Sequence, residues 1–110
     1  MAIRGIRGAT CLTRDDADEM AQAVVELLSE IFARNSVTNA DLISILFTAT
    51  PDLVSAFPAA AARTLQLADV PLICAQEIDV TGAMQRVIRV MVHVETELDR
   101  ADVKLSLIHI

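Results

Sequence analysis

The clearest periodic pattern in the chain is an apolar stripe with helical spacing in its first third. Its members recur three, four or one residue apart, which places them on one face of a helix: Met20, Val24, Leu27, Leu28 and Ile31. The stripe predicts a long helix over residues 13–35. Thr13 and Asp16 have the spacing of a capping box at its start, and Asn35 suits its end.

Four acidic residues crowd the start of this predicted helix. They are Asp15, Asp16, Asp18 and Glu19. The helix dipole favours negative charge in the first turn, so we interpret the cluster as capping rather than as a metal site.

Four short apolar or alternating runs predict strands, over residues 2–12, 42–48, 71–78 and 85–94. Pro58 and the alanines that follow it predict a second, shorter helix over residues 58–67. Turns are predicted at 38–41 and 79–82. The segment after residue 102 is short and apolar, and no element is predicted there. The order β–α–β–α–β–β indicates an α+β domain, with one long and one short helix against a mixed β-sheet.

The first predicted strand contains Gly5 and Gly8, which weaken a strand interior. They indicate either a glycine-kinked strand or a strand that lets a ligand come near its backbone.

The run from residue 85 to 94 is apolar on both faces except at Arg89 and His93. A strand of this kind is central in a sheet or lies at an interface. A charge within it is costly unless it is paired. Arg89 is therefore either a ligand-binding residue or one partner of a structural salt bridge, with Glu77 or Asp79 as the other.

Composition and charge narrow the class of protein. The 110 residues suit one domain, and a hydrophobic fraction of 54% excludes a disordered chain. That fraction reflects either apolar surface in a subunit interface or an alanine-rich sequence. The net charge of −6 argues against nucleic-acid binding through a basic field. Eight of the nine cations are arginine, and Arg7, Arg63 and Arg89 have apolar neighbours, which indicates a local site for a small anion.

Other chemical signals are weak. Cys11 and Cys74 form no disulfide framework, so we expect reduced thiols and a cytoplasmic protein. No apolar run reaches the roughly 20 residues of a membrane helix. His93 and His109 lack ligand spacing, and no cofactor fingerprint is present.

Glu77 could act as an acid or base, accept a hydrogen bond or pair with Arg89, whereas Cys74 is either a nucleophile or an inert buried thiol.

Six segments, in this order and spacing, resemble a known family, the AroH-class monofunctional chorismate mutases of bacteria. The segments are 4–9 (RGIRGA), 48–53 (TATPDL), 57–59 (FPA) with Arg63, 71–74 (PLIC), 76–82 (QEIDVTG) and 88–90 (IRV). The resemblance covers about residues 1–100 and makes the chain a single chorismate mutase domain. It implies a homotrimer that forms a pseudo-α/β barrel, with active sites in clefts between subunits. It also implies the rearrangement of chorismate to prephenate in Phe and Tyr biosynthesis, without cofactor or metal.

The resemblance also implies site residues. Arg89 would contact the ether oxygen and a carboxylate of chorismate, and Arg7 would bind a carboxylate. Glu77 would accept the ring hydroxyl, with Cys74 beside it. Since Cys74 and Glu77 differ in strand parity, a bulge or a strand end is needed between them. Three residues would reach the cleft from the neighbouring subunit: Phe57, Ala59 and Arg63.

The chain departs from the family pattern in two places. Leu107 stands where the family has Tyr, and Ala60 replaces a basic residue. We expect an atypical or truncated tail from about residue 104. The alternatives are an active mutase, a catalytically impaired trimer that binds small carboxylates, and a trimeric deaminase-like protein of similar architecture.

Overall fold

The computed structural model describes residues 1–67 and 69–110. Within these residues there are five strands and two α-helices: β1 (Ala2–Cys11), α1 (Ala17–Arg34), β2 (Leu42–Ala49), α2 (Pro58–Ala62), β3 (Leu72–Gln76), β4 (Val87–Thr96) and β5 (Ser106–Ile108). Short 3₁₀ turns cover Asn39–Asp41, Arg63–Leu65 and Arg100–Asp102. The predicted α+β class, with one long and one short helix, is confirmed.

The strands form one mixed sheet in the order β3-β2-β4-β1-β5. β4 is antiparallel to both of its neighbours, whereas β2 pairs with β3 and β1 pairs with β5 in parallel. β4 is therefore an interior strand, as its apolar composition predicts.

Both helices pack on the same face of the sheet. The apolar stripe of α1 is buried as predicted, and it meets inward-facing residues of the sheet such as Ile6, Ile45, Phe47 and Val92. The other face of the sheet carries no helix of this chain. Alternation along each strand therefore sends half of the side chains to this second, uncovered face, which we call the open face.

Gly8 lies where α1 approaches β1 most closely. A Cβ at this position would lie 2.6 Å from Ile31 Cδ1 and 3.2 Å from the backbone oxygen of Ser106. β1 keeps a regular register with β4 from Ala2 to Cys11, so the glycines produce no kink. At Gly8 the close approach is made by the chain's own helix α1 and not by a ligand.

The long helix begins later than predicted. Its N-cap is Asp16, whose side chain accepts a hydrogen bond from Glu19 N at 2.9 Å. The Glu19 carboxylate in turn accepts from the N–H groups of Thr13 and Arg14. The predicted start at Thr13 is wrong because Thr13 belongs to this preceding loop. Of the acidic cluster, Asp16 is the cap and Asp18 and Glu19 lie in the first turn, whereas Asp15 accepts from the N–H groups of Val54 and Ser55. Asn35 ends the helix as predicted.

Other boundaries also differ from those predicted. α2 stops at Ala62 and continues as a 3₁₀ turn, and β3 is shorter at both ends than residues 71–78. β4 starts at Val87 because Arg86 has φ 55°, a left-handed conformation that a strand cannot contain. The apolar segment after residue 102 includes β5, which was not predicted. Its pairing partner, β1, lies at the opposite end of the chain.

Stability should depend on pH through Glu19. Hydrogen bonds from the Thr13 side chain and from the Thr13 and Arg14 backbones hold the pKa of Glu19 below its ordinary value of 4.5, and the Arg14 charge adds to this. A lowered carboxyl pKa stabilises the fold above about pH 4.5, and this contribution is lost as the pH falls through the folded-state value. We expect Glu19→Gln to lower Tm at pH 7 and the difference from wild type to shrink below pH 4.5. Thermal unfolding across this pH range is measured by circular dichroism. A Tm difference between Glu19→Gln and wild type that stayed constant with pH would contradict this role of Glu19.

Candidate active site on the open face of the sheet

The open face carries a pocket of about 480 Å³ over its central strands. β1, β2 and β4 each contribute alternate residues to its floor, and the segment around β5 forms one side. The lining includes Arg7, Ala9, Leu46, Thr48, Arg89, Met91, Leu105 and Leu107. The pocket thus combines apolar walls with two guanidinium groups, a combination that suits a small organic anion.

Arg89 is one of the two arginines that line this pocket. It lies on the interior strand β4, opposite Ala9 on β1 and Thr48 on β2. Both neighbours are small, which leaves room for the long side chain above the sheet. Its side chain is 53% exposed in the single chain, so the cost of burying a charge does not arise here.

Arg89 is paired, and its partner is Glu77. Nη1 of Arg89 donates to Oε1 of Glu77. Of the two proposed partners, Glu77 and Asp79, the structure selects the first. The pair lies at the edge of the pocket and joins it to a second concavity of about 480 Å³, formed by residues 77–85 and the loop after β2. A guanidinium and a carboxylate therefore stand side by side at an accessible surface.

Glu77 follows directly after the last residue of β3. Its backbone N–H donates to Ala49 O at 2.9 Å, and its Oε2 accepts from the Thr48 hydroxyl at 2.6 Å. The Glu77 side chain is only 17% exposed. Cys74 faces the helix-covered side of the sheet and Glu77 the open face, which is what their difference in strand parity gives, so one chain does not bring Cys74 beside Glu77.

Arg7 lies on β1 opposite Met91, two residues along the register from the Arg89 position. It is exposed, and it also borders a concavity of about 500 Å³ that contains Arg4 and Arg100. Arg7, Arg63 and Arg89 are all exposed in this chain. The apolar sequence neighbours of Arg7 and Arg89 point to the opposite, helix-covered face, so they do not enclose these two guanidinium groups.

The remaining predicted site residues lie on or beside α2. Phe57, just before the helix, is 74% exposed, and Arg63 is exposed just after it. Ala59 is buried, and its N–H donates to Cys74 Sγ at 3.4 Å. Cys74 pairs in register with Phe47 on the helix-covered side of the sheet. Within the described residues, none of these four lines the Arg89 pocket.

Thr48 was not among the predicted site residues, although the strand pairing places it beside them. Alternation along β2 places residue 48 on the same face as Leu46, and the adjacent strand carries Arg89. A hydroxyl beside a carboxylate and a guanidinium is therefore implied once the pairing of β2 with β4 is known. That pairing is not readable from the local pattern alone.

The described residues offer no candidate for a metal site or for a membrane-spanning helix. They contain no group of three or more His, Cys, Asp or Glu side chains arranged to hold a metal ion. They also include no helix with the length and apolar character needed to cross a bilayer.

The fold and the charged groups of the open face define an α+β protein with an arginine-based site for a small anion. The family model for chorismate mutase type I matches residues 3–109, and the chain belongs to this family.

Named relatives agree with the family assignment. Chorismate mutase AroH of Bacillus subtilis is 43% identical over 105 residues, which cover 94% of this chain and 83% of the relative. Chorismate mutase AroH of Thermus thermophilus is 42% identical over 101 residues, with coverages of 89% and 83%. A chorismate mutase structure from Clostridium thermocellum superposes with a TM-score of 0.92 at 44% identity, covering 94% of this chain and 92% of that one. The predicted family and isomerase class are thereby confirmed.

Proposed function

We propose that this chain converts chorismate to prephenate by holding the substrate on the open face, with the Arg89 guanidinium at its ether oxygen. The observation that carries this proposal is that Arg7 and Arg89 line one pocket, with Glu77 paired to Arg89 at its edge, in a member of the type I family. Chorismate carries two carboxylates, an ether oxygen and a ring hydroxyl. Two arginines and one carboxylate provide complementary partners for these groups.

The reaction breaks one C–O bond and forms one C–C bond within a single molecule. No group leaves, and no nucleophile or proton transfer is needed. Negative charge grows on the ether oxygen as the C–O bond stretches. A fixed guanidinium beside that oxygen then stabilises the transition state more than the bound substrate, and this difference accelerates the reaction.

Orientation supplies the second part of the rate increase. The two reacting ends of chorismate meet only in a compact conformer. Arg7 on a substrate carboxylate and Glu77 on the ring hydroxyl would fix that conformer at two points. Both side chains stand on or directly after sheet strands, so their positions are set by the backbone hydrogen bonds of the sheet.

We further propose that the active form is a homotrimer, a pseudo-α/β barrel with its sites in clefts between subunits. The open face supports this, because it exposes large apolar side chains: Ile3 at 66%, Ile73 at 64% and Leu107 at 62%. Phe57 and Arg63 are exposed and lie away from the Arg89 pocket of their own chain, so we place them in a neighbouring subunit's site. Ala59 and Cys74, which contact each other, would form part of the cleft wall. We place the enzyme in the cytoplasm.

The proposal is tested first by following the loss of chorismate's ultraviolet absorbance. The chain has no Trp or Tyr, so the protein contributes little background. Turnover is expected without added metal or cofactor. Binding of chorismate without turnover would favour the impaired, carboxylate-binding trimer, for which Leu107 in the pocket wall and Ala60 are the relevant departures from the family pattern.

The shared site is tested by mixing two inactive variants, Arg63→Ala and Arg89→Ala, after separate purification and joint refolding. If Arg63 completes a neighbour's site, hybrid trimers regain roughly a quarter of wild-type activity, because statistical mixing places both intact arginines at that share of interfaces. If each site lies within one chain, the mixture will show no more activity than its two components.

A further inference from the structure

Thr48 is the residue of the site whose role is not yet explained. It lies on β2 between the open-face positions of β3 and β4, opposite Ala75 and Arg89. Its side chain is partly buried, and its hydroxyl donates to Glu77 Oε2 at 2.6 Å. A threonine hydroxyl has one proton to donate, so this bond uses its donor capacity fully.

The two oxygens of Glu77 therefore have different partners. Oε2 accepts from Thr48, and Oε1 accepts from Arg89. Arg89 is also the group proposed to contact the ether oxygen and a carboxylate of the substrate. Only Nη1 of Arg89 contacts Glu77, and the guanidinium has further N–H groups for the substrate. The Thr48 hydroxyl fixes the second oxygen of the carboxylate independently of Arg89.

We propose that Thr48 is a positioning residue, which holds Oε2 of Glu77 so that Oε1 faces the ring hydroxyl of the bound substrate. This inference rests on the proposed function. A hydrogen bond to an ionised oxygen is stronger than a neutral one, and the β-branched side chain of threonine has few rotamers within a strand. The hydroxyl thus fixes the Glu77 carboxylate, which lies just beyond the end of β3, relative to the backbone of β2.

The test compares Thr48→Val with Thr48→Ser. Valine keeps the shape and strand preference of threonine but removes the donor, whereas serine keeps the donor and removes a methyl group. We expect Thr48→Val to lower kcat about 10-fold, the scale of one hydrogen bond to a charged group, with a smaller change in KM because orientation is lost rather than contact. Thr48→Ser should stay within about twofold of wild type. Equal losses in both variants would overturn the proposal.

A double-mutant cycle tests whether Thr48 acts through Glu77. In a Glu77→Ala background, Thr48→Val should cost nothing more, because the group it positions is gone. Full additivity of the two losses would overturn the proposal. Ser44→Ala is the matched control, since Ser44 lies on the same strand and face but contacts His93 Nδ1 at 3.1 Å instead, and its turnover should equal wild type.

These variants distinguish a failure of the Thr48 proposal from a failure of the proposed function. A large loss in Glu77→Ala with wild-type activity in Thr48→Val overturns the role of Thr48 alone. Full activity in Glu77→Ala overturns the role of Glu77 and the role of Thr48 with it. A wild-type chain without turnover overturns the proposed function itself. Circular dichroism of each variant establishes that it is folded, and Thr48→Ala serves as a second donor-free variant if valine prevents folding.

Discussion

Replacing Arg89 with alanine is expected to lower kcat by about 10²–10³-fold, equivalent to roughly 3–4 kcal/mol, the usual cost of removing one donor from a developing oxyanion. Arg89 lines the open-face pocket from the interior strand β4, and its backbone position is fixed by β2 on one side and β1 on the other. Because the charge on the ether oxygen grows during the reaction, the loss should appear mainly in kcat rather than in KM. Steady-state kinetics on chorismate measures both constants.

Two controls sharpen this result. Arg89→Lys keeps the charge but loses the planar fork, so its activity should fall between those of wild type and alanine. Arg14→Ala changes the net charge by the same amount at the start of α1, outside the pocket, and should leave kcat unchanged. Equal turnover in wild type and Arg89→Ala would contradict the mechanism. The alternative interpretation would then hold, in which Arg89 is one partner of a structural salt bridge with Glu77.

Replacing Phe47 with alanine is expected to lower the free energy of unfolding by about 3–5 kcal/mol. Phe47 is fully buried on the helix-covered side of β2, with Cys74 and Val90 as its register partners on either side. A small domain has only about 5–15 kcal/mol of stability in total, so this single change removes a large part of it. The loss combines the transfer energy of the ring with the cavity it leaves.

Urea unfolding at one fixed protein concentration measures this change, since any association of folded chains would shift the midpoint with concentration. Val54→Ala is the comparison, because Val54 is 80% exposed and its truncation should change stability by less than about 0.5 kcal/mol. A midpoint for Phe47→Ala close to that of Val54→Ala would show that the core relaxes around the missing ring.

The elements with strong local patterns could be predicted from the sequence. The stripe of α1 needs only neighbours within the same helix, and the buried runs of β2 and β4 need only their own composition. Errors arose where distant contacts decide the outcome. Glu19 reaches back to Thr13 and moves the helix start, and a left-handed residue, Arg86, delays β4. β5 is too short to form without β1 beside it.

The site was predictable in its residue types but not in its geometry. The sequence identified Arg89 and Glu77 as candidates, and the structure pairs them. It could not show that Thr48 joins them, because the contact depends on which strands are neighbours. It also placed Arg89 as a charge within a strand that is apolar on both faces, where an unpaired charge is costly. That cost does not arise in the single chain, because Arg89 lies on the open face and adjacent residues point to the opposite one.

The pairing of β1 with β4 also has consequences for how the chain folds. Ala2 lies beside Thr96, so the two interior strands that join the halves of the sheet come from opposite ends of the chain. Closing so long a loop costs entropy before any hydrogen bond is gained, and folds with such distant contacts form slowly. During synthesis β1 cannot pair with β4 until β4 has left the ribosome, whereas α1 can form early and pack on β1. We therefore expect the late pairing of these two strands to set the folding rate.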